Sequence, residues 1–121
     1  MKVSSSSDIS NPEVEVLGLA TEFVSLGEEL VKGKSTICLE SVGAVDRFYP
    51  IALKSLKCTF DVESVPPAQI RLIVEDQSLV IVGDSKALRN LGQSLINVFT
   101  GAMSDEHMHL EHHDGNQLVA P

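Results

Sequence analysis

A chain of 121 residues with 43% apolar side chains is long enough for one modest core and too apolar for a disordered polymer. Seventeen acids against nine bases leave a net charge of −8, which repels phosphate backbones and argues against nucleic-acid binding. No run spans a bilayer, no apolar stretch follows Met1-Lys2-Val3 as a secretory signal would require, and two cysteines are too few for a disulfide scaffold, so a cytoplasmic protein without membrane contact is the expectation.

Residues 1–11 are serine-rich and read as a flexible tail ahead of one domain over residues 12–121. Glu13-Val14-Glu15-Val16-Leu17 alternates as a strand does and stops at Gly18. Phe23, Leu26 and Leu30 then recur at helical spacing between Ala20 and Lys32, with Gly33 as the stop. Thr36-Ile37-Cys38-Leu39-Glu40 alternates again, and residues 43–50 read as a loop. Leu56, Cys58, Phe60 and Val62 share one face of a further strand, with Lys57, Thr59 and Asp61 opposite; Pro66-Pro67 breaks the chain. Two β-rich runs, residues 70–75 and 79–82, flank Asp76-Gln77 and predict a hairpin whose turn lacks the favoured glycine. Asp84 or Ser85 can cap a second helix, striped by Leu88, Leu91, Leu95 and Phe99 and ending near Gly101. Residues 106–112 read as a strand with Met108 and Leu110 inward, followed by an Asp114-Gly115 turn and a last strand from Gln117 to Ala120.

The two halves share a pattern 65 residues apart. Val16-Leu17-Gly18 matches Ile81-Val82-Gly83, and Leu26-Gly27-Glu28-Glu29-Leu30 matches Leu91-Gly92-Gln93-Ser94-Leu95. Glycine inside a helix costs about 1 kcal/mol relative to alanine, so Gly27 and Gly92 point to a close approach of helix to sheet. The expected architecture is α+β, with two strand–helix–strand repeat units (residues 12–63 and 70–121) and both helices on one face of a mainly antiparallel sheet. The other face is then open to water or a partner, and its polar residues include Thr36, Cys38, Glu40, His107, His109 and Glu111.

Chemistry is sparse. His107, His109 and Glu111 alternate on one side of their strand and offer a candidate metal set, but His-x-His is a short motif with no distant ligand group beside it, so neither metal nor other cofactor is expected. No nucleophile elbow or Cys/His spacing marks a catalytic site. Cys58 falls on the inward face and Cys38 on the outward one, which opposes a disulfide between them. Gly83-Asp84-Ser85-Lys86 places an acid where a phosphate would dock, and Glu13/Glu15 and Glu28/Glu29 read as solvated faces.

Leu79-Val80-Ile81-Val82-Gly83-Asp84, then Ala87-Leu88 and Leu91, then His107-Met108-His109-Leu110-Glu111 and the closing Leu118 to Pro121 resemble the immunity-protein family of the immunity protein 32 type, from bacterial polymorphic-toxin systems. The resemblance covers residues 70–121 and implies a non-enzymatic protein that binds and neutralises a cognate protein toxin. A basic nuclease is the kind of toxin that an acidic surface suits. Two alternatives remain open: a small metal-binding domain or enzyme built on His107, His109 and Glu111, and a homodimer formed through the open sheet face.

Overall fold

The computed structural model describes residues 1–7, 12–33, 36–40, 50–60, 69–100 and 105–110. The serine-rich start is the first departure from expectation. Lys2–Ser5 is a strand, β1, antiparallel to β2 (Val14–Leu19) with Lys2 opposite Leu17 and Ser5 opposite Val14. Val3 is fully buried and anchors the segment, and Ser4 and Ser5 are small enough to be buried beside it. Their neighbour Ser6 closes the connection: its N–H donates to the Glu13 carbonyl at 2.8 Å, and its Oγ accepts from the Glu13 N–H at 3.0 Å. One valine among serines is a weak sequence signal, and polar composition hid a paired strand.

After β2 the chain enters α1 (Ala20–Val31), crosses through β3 (Thr36–Glu40), and continues through β4 (Ile51–Leu53) and β5 (Ser55–Phe60). The second half runs β6 (Ile70–Glu75), β7 (Ser78–Gly83), α2 (Ser85–Phe99) and β8 (Asp105–Leu110). The class is α+β, as expected, but the described strands form two four-stranded sheets rather than one. The first, ordered β4-β1-β2-β8, is antiparallel throughout. The second, ordered β3-β5-β7-β6, has one parallel pair, β5 with β7, between two antiparallel ones. The single sheet fails as an expectation because the strand after each helix crosses over: β3 leaves the β1–β2 hairpin for the second sheet, and β8 leaves the β6–β7 hairpin for the first.

The order hairpin, helix, strand occurs in both halves, yet the crossing strands join differently. β8 lies directly beside β2, whereas β5 separates β3 from β7. That difference leaves the proposed repeat without structural support beyond the shared order of elements.

Both helices begin where a carboxylate meets free backbone N–H groups. In α1 the Glu22 side chain reaches back to accept from the Leu19 N–H at 2.9 Å. In α2 Asp84 is the N-cap and accepts from the Ala87 N–H at 2.8 Å. Beyond α1 and its cap residue Lys32, Gly33 turns the chain with a φ of 82°, which suits a residue without a side chain.

The leucine stripes are buried as the spacing predicts: Phe23, Leu26 and Leu30 on α1, and Leu88, Leu91, Leu95 and Phe99 on α2. They join residues of both sheets in one continuous core. The helices pack on each other as well as on β2, β5 and β7. Phe23 and Phe99 stack across that contact with ring centroids 4.4 Å apart. The glycines sit at the crossing, which corrects the expectation of a helix–sheet approach. A methyl group on Gly27 would lie 2.6 Å from the Gly92 carbonyl oxygen, and one on Gly92 would lie 2.6 Å from the Gly27 carbonyl oxygen. Glycine at both positions lets one helix backbone touch the other.

Candidate functional site

The six residues read from sequence as one open face are divided by the strand exchange. Cys38 and Glu40 are exposed on β3, alternating with buried Ile37. Cys38 pairs in register with Lys57, and Thr36 with Thr59. Among the described strands, β3 is an edge of the second sheet. His107 and His109 belong to β8, an edge of the first sheet among the described strands, where their backbones pair with Leu17 and Glu15. Glu111 lies outside the described residues, as does the expected strand from Gln117 to Ala120. Among the described residues, no three His, Cys, Asp or Glu side chains gather at a metal-binding distance.

A groove of about 620 Å³ runs between α1 and β3. That size lies within the roughly 300–1,000 Å³ typical of binding pockets. Its helical wall follows from spacing: Glu22, Leu26 and Glu29 stand at i, i+4 and i+7, so they share one face of α1. β3 supplies Cys38, Leu39 and Glu40 to the other wall. Leu26 and Ile37 are buried and form the apolar floor.

Three carboxylates therefore face one groove, and its described lining contains no Lys, Arg or His. The positive group there is the Met1 ammonium, 3.3 Å from Glu22 Oε2. The hydrogen bond from the Leu19 N–H holds the Glu22 pKa below its ordinary value against the opposing effect of burial, and this ammonium adds to the lowering. Glu22 is thus ionised at neutral pH.

The sequence reading missed Glu22 and Glu29. It grouped Glu28 with Glu29 as a solvated pair, but their positions on α1 differ by 100°: Glu28 is exposed, and Glu29 is half-buried against the groove. The i, i+7 relation of Glu22 to Glu29 was the available signal, and it had no meaning until β3 was known to lie alongside.

The two cysteines are free and differ chemically. Cys58 is buried, and loss of hydration pushes its thiol up to about 12, so it is a core side chain rather than a nucleophile. Cys38 is exposed beside the groove. The arrangement offers negative charge, an apolar floor and, among the described residues, an edge strand. Comparison with protein-family models, curated proteins and solved structures finds no match.

Proposed function

We propose that this chain is a non-catalytic binding protein that holds a basic protein partner against the α1–β3 groove, in the manner of an immunity protein neutralising a toxin. The observation that carries the reading is the groove itself, in which Glu22, Glu29 and Glu40 surround an apolar floor with no Lys or Arg among the described lining residues. Net charge of −8 adds long-range attraction for a cationic partner, raising the rate of encounter more than the final affinity. The toxin component of the proposal rests on the resemblance of residues 70–121 to immunity proteins.

Co-expression with the product of the adjacent gene tests it. The expected result is a co-purifying complex, growth restored to cells that the partner alone poisons, and loss of both effects on Glu40→Lys. A partner that forms no complex, or poisons cells equally with and without this chain, overturns the proposal.

A further inference from the structure

We infer that the partner engages this groove as an added β-strand: an extended segment alternating basic and apolar residues, paired along the outer edge of β3. The inference rests on the proposed binding role and specifies its mode.

Among the described residues, β3 is the last strand of its sheet on one side, paired on its inner side with β5. An edge strand presents a row of backbone N–H and C=O groups, and proteins commonly guard such rows with Lys or Pro. The β3 sequence, Thr-Ile-Cys-Leu-Glu, has neither. The opposite edge of the same sheet, β6, carries Arg71 and Glu75.

The groove lies where an added strand would run, between this edge and the Glu22–Glu29 face of α1. Side chains of an extended segment alternate between its two sides. The set on the Cys38 and Glu40 side of β3 would meet the Glu40 carboxylate and favour Lys or Arg; the set turned towards α1 would meet Leu26 and Leu39, between Glu22 and Glu29, where a β-branched residue suits the floor. Main-chain pairing supplies affinity in this mode, and the alternating side chains supply selectivity. Charge selects this occupant over a second copy of the chain, because the chain carries 17 acids against 9 bases and a like-charged copy is repelled.

The test uses the intact protein and three synthetic hexapeptides: alternating Lys-Val, alternating Glu-Val, and the Lys-Val peptide N-methylated at every second residue. Amide hydrogen exchange reads β3 directly, and titration reads affinity. In the free protein, part of the β3 amides should exchange fast. The Lys-Val peptide should slow them, the Glu-Val peptide should not bind, and N-methylation should weaken binding about tenfold or more, as loss of backbone hydrogen bonds requires. Glu40→Lys, a substitution at an exposed position, should abolish Lys-Val binding while leaving the circular dichroism unchanged.

β3 amides fully protected in the free protein would overturn strand addition, as would equal affinity for the N-methylated peptide. If Glu40→Lys still abolished binding in that case, the acidic groove would stand as a binding site without strand pairing. Absence of Lys-Val binding, or binding indifferent to Glu40→Lys, would overturn both this inference and the proposed role of the groove.

Discussion

At the scale of single residues, the two thiols and one carboxylate make separable statements. Ellman's reagent should titrate one thiol quickly in the native protein, Cys38, and reach Cys58 only on unfolding, since one is exposed and the other buried. Cys58→Val should leave the fast phase, and Cys38→Ser should remove it. Burial also links Cys58 to pH. The folded state holds its proton up to about 12, whereas an unfolded thiol releases it near 8.5. Its contribution to stability is therefore complete below about pH 8.5 and is lost as pH rises towards the folded value. Denaturant midpoints should fall through that window, and Cys58→Val should flatten the fall. Glu22 acts at the other end of the scale. Its pKa is lowered in the folded state, chiefly by the Leu19 N–H, so its contribution is present above the unfolded carboxylate value and lost as pH drops through the lower folded one. Glu22→Gln should cost about 0.3–1 kcal/mol at neutral pH, as removal of a negative charge from a helix N-terminus does, and that cost should vanish in acid.

At the scale of elements, two features set stability in opposite directions. The α1–α2 crossing has no room for a methyl group, because the nearest atoms are backbone carbonyls of the facing helix. Gly27→Ala and Gly92→Ala gain about 1 kcal/mol of helix propensity and lose more, since overpacking typically costs about 1–3 kcal/mol. Both should lower the melting temperature. Because the two methyl groups would open the same contact, the double variant should cost less than the sum of the singles; strict additivity would show that the glycines act independently. The β6–β7 turn runs the other way. Asp76 and Gln77 both have positive φ, 49° and 62°, in a two-residue hairpin loop, a conformation that favours Asn or Asp followed by Gly. Gln77→Gly should raise stability by about 1 kcal/mol, the lower end of the left-handed penalty for a residue with a Cβ, while keeping the backbone bond that its carbonyl accepts from the Lys54 N–H. This hairpin was legible in sequence because its signals are local: two β-rich runs and a pair of polar residues between them. The helices were legible for the same reason. The β1 strand was not, since Val3 is its one strong apolar residue. The groove was not either, because its walls come from residues 22–29 and 37–40, whose meeting depends on where β3 goes rather than on any pattern within it.

At the scale of the whole molecule, strand exchange makes the halves interdependent. Residues 1–64 alone would retain β1 and β2 but lose β8 from one side of β2, β7 from β5, and α2 from the helix pair. Residues 65–121 alone would keep the β6–β7 hairpin and α2, and leave β8 without β2. Each fragment should be largely unfolded by circular dichroism and lack a cooperative melt, and mixing them should restore native signal. A sharp transition in either fragment alone would show that one half carries its own core. Neither sheet could have been assembled from the sequence, because pairings such as Leu17 with His107 and Cys58 with Ile81 join residues whose alternation fits many partners. Long-range pairings of this kind also slow folding, since loops must close before the contacts reward them.

The first sheet has a mechanical consequence. β1 and β8 flank β2, each antiparallel to it, so they run parallel to each other, with Lys2 at one end of the sheet and Leu110 at the other. Tension applied between those two residues pulls β1 and β8 in opposite directions along their own axes. Each interface is then loaded in shear, and the hydrogen bonds within it share the force rather than being peeled one at a time. Drawn from these points in an optical trap, the protein should resist to a higher peak force than when held through Lys2 and Leu17, which face each other across one end of the β1–β2 pair and would unzip it.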